Sequence, residues 1–352
     1  MDERQSRAVF AGGVQIGGGA AACVQSMLST PAGDIPASVA QAKRLHEAGC
    51  EILRAAVPTR ADVALIAALK AAVPIPIVAD IHFDYRIALD CVAAGVDKIR
   101  LNPGNIGSAD RVAAVAQACK ARGIPIRIGV NAGSLEKDVL ARFGGVCPEA
   151  LVASALEHAA LLEACDFHDI VLSLKASDVR TMVAAYRLAA AACDYPLHLG
   201  VTEAGTARQG CIKSAAGIGA LLLDGIGDTI RVSFTEDPVE EIRAGLDILR
   251  ALGLRRDRAQ IVSCPTCGRT KIDLIALTRQ VEAALADCHK PITVAVMGCA
   301  VNGPGEAREA DVGLAGGDGC ALLFSRGEIL RKVPEEQAVE ALLKEIDKLC
   351  IR

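Results

Sequence analysis

The sequence predicts an α/β protein: a (β/α)8 TIM barrel over residues 1–255, followed by a small α+β domain over 256–352. Three observations carry this. Eight short apolar runs each lead into an Ala/Leu-rich stretch of helical period, and together they fill about 250 residues, the size of such a barrel. Polar residues interrupt those runs near their C-terminal ends, where a barrel builds its active site. Beyond ALGLRRDRAQ (251–260) the alternation stops, which places a short charged linker and a boundary near 255–260.

The runs, in order, are ACVQSM (22–27), EILRAAV (51–57), IPIVADI (75–81), DKIRLNP (97–103), IPIRIGVN (124–131), DIVLSLKA (169–176), PLHLGVTE (196–203) and DTIRVSF (228–234). Mostly apolar, they suit parallel strands covered on the outside by helices. A doubly wound open sheet is the competing architecture. Its phosphate fingerprint is not convincing here, because GGVQIGGG (12–19) precedes the first run instead of joining a strand to a helix. The small domain reads as a strand, a cysteine-bearing loop, a helix over 271–287, the strands PITVAVMG, DVGLAGG and CALLFSRG, and a final helix from about 335.

Composition narrows the function. A net charge of −4 provides no global basic field for nucleic acid, and the absence of Trp, with three Tyr and six Phe, leaves little for base stacking. No apolar run reaches the roughly 18 residues of a membrane span, and MDERQSRAVF lacks a signal-peptide core, so a cytoplasmic protein without membrane partners is expected. Most of the fourteen cysteines sit singly among Ala, Leu and Val and read as small buried thiols.

In DKIRLNP, Lys98, Arg100 and Asn102 share one face while Ile99 and Leu101 share the other. Similar intrusions are Arg54, Asp80, Arg127 with Asn131, Lys175, Thr202 with Glu203, and Arg231. Any one of these cations could be an ordinary ion-paired residue. Arg54, Arg100, Arg127, Lys175 and Arg231 come from five separate strands, and gathering them at one mouth repels unless a polyanion neutralises them, which points to a phosphorylated substrate. NPGNIG (102–107) and QGCIKSAAGIG (209–219), the latter with Lys213 and Ser214 opening a helix, are candidate backbone N–H donors to phosphate. Glu203 is either an ion-pair partner or a proton-transfer group, and His82 is more readily a scaffold residue than a catalyst.

SCPTCGR (263–269) and MGCAVNGPGEA (297–307) bring Cys264, Cys267 and Cys299 together with Glu306 as candidate metal ligands. Spacing alone leaves three readings open: an iron–sulfur cluster, a structural zinc, with His289 a distant fourth ligand, or uncoordinated thiols. A carboxylate at the fourth position is held less firmly by a thiolate-rich cluster than sulfur and could give way to substrate.

VQSM (24–27), ADIHFDYRIAL (79–89), IRLNPGNIG (99–107), IRIGVNAGSLE (126–136), LSLKASD (172–178), HLGVTEAG (198–205), IKSAAGIG (212–219), GIGDTIRVS (225–233), SCPTCGR and VMGCAVNGPGEA follow one another as in the 4-hydroxy-3-methylbut-2-en-1-yl diphosphate synthases of the non-mevalonate isoprenoid pathway, and the chain resembles that family over nearly its whole length. LSTPAGD (28–34) departs from the family's Thr/Asn-rich segment, so no substrate contact is carried onto it. The resemblance implies a barrel followed by a ferredoxin/sulfite-reductase-like domain with a [4Fe–4S] cluster on Cys264, Cys267, Cys299 and Glu306. It also implies a homodimer with active sites shared between chains. The implied reaction is the reductive opening of 2-C-methyl-D-erythritol 2,4-cyclodiphosphate, with electrons from ferredoxin or flavodoxin. The five cations, with Asn102, Asn131 and Lys213, would hold the diphosphate, Glu203 would handle a proton, and substrate would displace Glu306. Two other classes compete: a phosphate-binding barrel lyase or transferase resembling pteroate synthases with a structural zinc module, and a non-catalytic iron or redox sensor.

Overall fold

Two short strands, β1 (Val9–Ala11) and β2 (Val14–Ile16), open the chain as an antiparallel hairpin that the sequence did not announce. Eight parallel strands follow: β3 (Cys23–Met27), β4 (Ile52–Ala56), β5 (Ile77–Asp80), β6 (Lys98–Leu101), β7 (Ile126–Asn131), β8 (Ile170–Lys175), β9 (His198–Leu199) and β10 (Thr229–Ile230). They pair in the order β8-β7-β6-β5-β4-β3-β10-β9, and a parallel bridge from Leu172 to Leu197 closes the ring. This is the predicted (β/α)8 barrel. The computed structural model describes residues 4–286, 288–300, 305 and 307–349, in two units, Met1–Leu254 and Arg255–Arg352.

Local sequence sets the helix starts. Asp34, Asp84, Asp178 and Asp237 each accept a backbone N–H in the first turn of the helix they precede, satisfying donors that the helix itself cannot pair. Strands β9 and β10, two residues each, form shorter ladders than the apolar runs suggest.

The pleat then sorts the side chains. Leu53, Ala79, Ile99, Leu101, Ile126 and Leu172 point outward into a core shared with the surrounding helices. Ile52, Val78 and Val171 point inward, where they pack with Val9, Ala11 and Ile16 of the hairpin, which plugs the floor of the barrel. Above that floor the lumen is polar. With alternate strands sharing a level, the registers set Ile52, Lys98, Val171 and Thr229 lowest. Gln25, Val78, Arg127 and His198 come next, and Arg54, Arg100, Ser173 and Arg231 lie nearer the mouth.

The second unit is a five-stranded sheet of β11 (Gln260–Ser263), β12 (Thr293–Met297), β13 (Val312–Gly317), β14 (Cys320–Ser325) and β15 (Glu328–Pro334) in chain order. The first three run parallel and the last two antiparallel. Helices Leu274–Leu285 and Ala338–Leu349 share one core with the sheet, while Ala295, Met297, Ala315 and Phe324 form a second cluster with Ala307 and Ala310. The edge strand β15 was not predicted, since almost every residue of EILRKVP is exposed and no apolar face marks it.

Among the described residues, no helix is long and apolar enough to cross a membrane.

Candidate active site

The barrel mouth collects the cations that the sequence singled out. Arg54, Arg100, Arg127, Lys175 and Arg231 face the lumen from β4, β6, β7, β8 and the continuation of β10, and Arg127 is 1 % exposed. Asp80, at the end of β5, is the counter-charge that binds the cluster together. Its carboxylate accepts from the Arg54 guanidinium and, at 3.1 Å, from Arg100 Nη1. Burial alone would raise the Asp80 pKa, but Arg54 and Arg100 overrule it and hold the carboxyl below its ordinary range. His82 Nε2 lies 3.9 Å from the same carboxylate and is half exposed.

The other cations are less well answered. Arg231 lies 3.6 Å from Glu241, a buried carboxylate whose pKa burial raises against the pull of Arg231. Arg127 Nε and Nη1 have no hydrogen-bond partner among the described residues. Burial, then the charges of Arg54 and Arg100, push the Arg127 pKa well down. Burial, then Arg231, Arg127, Arg54 and Arg100, do the same to Lys175. Because guanidinium keeps its proton in proteins, the shift at Arg127 registers burial and then the crowding of like charge, not a neutral side chain. Two such charges about 6 Å apart repel by roughly 3 kcal/mol at an effective dielectric of 20, so a bound polyanion relieves much of this.

Lys98 lies deeper, on the floor level, wholly buried, with its Nζ lacking a hydrogen-bond partner among the described residues. Burial, then Arg127, bring its pKa to about 7.

Backbone geometry keeps the mouth open. A side chain at residue 129 would place Cβ 2.5 Å from Arg100 Nε, so Gly129 is what lets that guanidinium cross β7 and donate to the Gly129 carbonyl at 3.0 Å. Asn102 Oδ1 accepts the Gly129 N–H at 3.0 Å, which leaves the amide NH2 of Asn102 to donate elsewhere. Asn131 ends β7 and is partly exposed. Glu203 is exposed in the loop after β9 with φ of 52°, a left-handed conformation uncommon for a glutamate and shared here with Asp166 and Arg326.

Two expectations about phosphate loops are corrected. Lys213 and Ser214 do not open a helix but lie inside the helix Ala207–Leu223, whose amides at that point are internally bonded, so only side chains remain there to meet a ligand. In NPGNIG the N–H groups of Gly104, Asn105 and Ile106 already donate within the protein, to His158, Asn102 and Pro103. Asp80 and Glu241, the counter-charges, were not named as site residues. The position of Asp80 at a strand end was the available signal, whereas Glu241 lies in a helix and carried none.

In the second unit, Cys264 follows β11 and Cys299 follows β12 after Gly298, so the parallel pairing of these strands brings both to one end of the sheet. The Gly298 N–H donates to Cys264 Sγ at 3.2 Å. Hydrogen bonds from the Arg269 backbone and side chain lower the pKa of the exposed Cys267 thiol. Donors aimed at sulfur favour the thiolate, the form that binds metal, so the residues fit a thiolate-held iron–sulfur group. Among the described residues, no three His, Cys, Asp or Glu side chains are gathered closely enough to hold a metal ion by themselves. Glu306 lies outside the described residues.

Residues 6–246 match the family described as the GcpE TIM-barrel domain, and residues 260–348 match the GcpE protein C-terminal domain. The 4-hydroxy-3-methylbut-2-en-1-yl diphosphate synthase (flavodoxin) of Clostridium perfringens strain 13 is 55 % identical over 349 residues, covering 99 % of this chain and 100 % of that one. That of Geobacillus thermodenitrificans is 56 % identical over 345 residues, covering 98 % and 92 %. The chain belongs to the 4-hydroxy-3-methylbut-2-en-1-yl diphosphate synthase family. Within this synthase family the two matched segments correspond to the two units of the fold. A dihydropteroate synthase of Yersinia pestis, solved with a pterine-sulfa conjugate, aligns with a TM-score of 0.50 at 14 % identity, over 71 % of this chain and 100 % of that one. At that identity the likeness speaks only for the barrel, and the zinc-bearing lyase or transferase gains nothing from it.

Proposed function

We propose that this chain reduces 2-C-methyl-D-erythritol 2,4-cyclodiphosphate to (E)-4-hydroxy-3-methylbut-2-enyl diphosphate, consuming two electrons and two protons and releasing one water. The observation that carries the reading is the set of five lumen-facing cations at the barrel mouth, in a chain whose relatives bear the synthase name.

Arg54, Arg100, Arg127, Lys175 and Arg231 hold the diphosphate, and the oxyanions replace the mutual repulsion of the cations with charge-assisted hydrogen bonds. Asn102 donates through its free amide NH2, and Asn131 and Lys213 add contacts at the rim. Asp80 fixes the Arg54 and Arg100 forks before substrate arrives, so little ordering remains for the binding step. Glu203, held on its strained loop, supplies a proton to the departing oxygen. Cys264, Cys267, Cys299 and Glu306 would hold a [4Fe–4S] cluster, which when bound would supply single electrons and a Lewis-acidic iron. Flavodoxin is the electron donor, as the names of the relatives suggest. The enzyme works as a cytoplasmic homodimer with sites shared between chains.

Anaerobic purification with iron and sulfide analysis, followed by turnover of the cyclic diphosphate with reduced flavodoxin, tests this. Near-equal iron and sulfide with product formation is expected. Zinc without iron, or no consumption of the cyclic diphosphate by iron-loaded protein, would falsify it.

A further inference from the structure

Behind the mouth, three polar side chains join two loops that no ladder hydrogen bond connects. Ser154 and His158 lie one turn apart on the helix Pro148–Glu163 and so share a face. His158, 6 % exposed, accepts the Gly104 N–H on Nδ1 at 3.3 Å, and its Nε2 lies 2.7 Å from Glu136 Oε1. With Nδ1 accepting, Nε2–H is the side that donates to Glu136. Ser154 Oγ donates to the other oxygen of Glu136 at 2.8 Å.

Gly104 belongs to the loop that leaves β6 just after Asn102, and Glu136 to the loop that leaves β7 just after Asn131. Contact at Gly104 is close: a Cβ there would stand 2.5 Å from His158 Cε1, so the ring seats directly against the backbone. The trio is not a hydrolytic triad. Ser154 donates to the carboxylate instead of to the imidazole, so nothing deprotonates it, and His158 is enclosed.

We propose that His158 is a positioning residue: through Gly104 on one side and Glu136 on the other, it sets the separation of the loops that follow Asn102 and Asn131, and with it the reach of those two side chains toward the substrate diphosphate. This rests on the functional reading above, so the test uses a probe that does not need turnover. Inorganic pyrophosphate is titrated by calorimetry into the wild type, His158→Leu and His158→Gln, and backbone hydrogen exchange is followed over 102–107 and 131–136.

The Leu protein is expected to bind pyrophosphate roughly tenfold more weakly, the scale of one lost hydrogen bond, and to exchange faster in both loops. In turnover its loss falls mainly on KM. Gln can accept from Gly104 and donate to Glu136, so it should recover binding to within about twofold. Unchanged pyrophosphate affinity in the Leu protein, faster exchange in only one loop, or a Gln protein as weak as the Leu protein each overturns the inference. If the Leu protein does not fold, Glu136→Ala breaks the same link from its partly exposed end, and the affinity and exchange outcomes decide in the same way. Wild-type protein that binds pyrophosphate but leaves the cyclic diphosphate untouched counts against the functional reading and leaves this test standing. Wild type that binds no pyrophosphate removes both.

Discussion

The two faces of the same eight strands obey the same period-two alternation and do opposite things. Outward, Leu53, Ile99, Ile126 and Leu172 bury apolar surface against helices, which is where the barrel gains its stability. Inward, Arg100, Arg127, Lys98 and Lys175 are buried beside the partly buried Arg54 with few counter-charges, an arrangement that opposes folding and prepares an anion site. The pleat thus segregates stability from binding within each strand. A substitution should therefore disturb one and spare the other, according to its parity.

The largest effect is expected at Arg100→Met, on the lumen face. It should lower kcat/KM by about 10²–10³, the scale of removing one partner of a buried charge pair, while the melting temperature changes little, because relief of burial and of repulsion from Arg54 offsets the lost Asp80 pair. Steady-state kinetics beside a thermal melt reads both, and near-normal turnover would erase the distinction between the faces. Leu172→Ala, one residue from the lumen position Ser173, should reverse the pattern. Stability drops by roughly 2–5 kcal/mol in a denaturant titration, and folded protein keeps kcat/KM to within about twofold.

Asp80→Asn sharpens the comparison because it removes a stabilising group from the destabilising face. Stability at neutral pH should fall by about 1–3 kcal/mol as Arg54 and Arg100 lose their counter-charge. The folded Asp80 pKa is depressed, so the stability it contributes is complete above the unfolded value of 3.8 and disappears as pH falls through the folded value. Acid titration of the Asn protein should therefore show a shallower loss below that pH. An unchanged acid limb would mean that the ion pairs contribute little.

The smallest effect on binding belongs to Lys98→Met. With the folded pKa near 7 against 10.5 when unfolded, the unfolded chain binds more protons across that window, so wild-type stability rises with pH between the two values. The Met protein should lose that rise, match or exceed wild-type stability at pH 7, and bind pyrophosphate as wild type does. Parallel pH-stability curves for the two proteins would contradict it.

Much of this was legible in the chain. Apolar runs of strand length, separated by helical stretches, count the barrel strands, and the even positions of DKIRLNP already divide chemistry from core. The cysteine spacing marked the metal candidates. Other features left no pattern. The floor hairpin is too short, β15 is too polar, and Glu241 lies in a helix that gives no hint of reaching Arg231. QGCIKSAAGIG misled because its glycines suggest a loop, while in the structure Gly210, Gly217 and Gly219 are buried along a helix packed on the barrel.

What the sequence by itself determined is the set of strands, their two-faced alternation and the identity of the charged residues, because these follow from local periodicity and residue chemistry. Only the tertiary structure decided which charges answer one another, which loop amides are already taken, and that His158 bridges Gly104 and Glu136 across residues 104 to 158. Those relations depend on closing the ring and on the register between strands, which bring distant parts of the chain within hydrogen-bonding reach and have no signature in any local window.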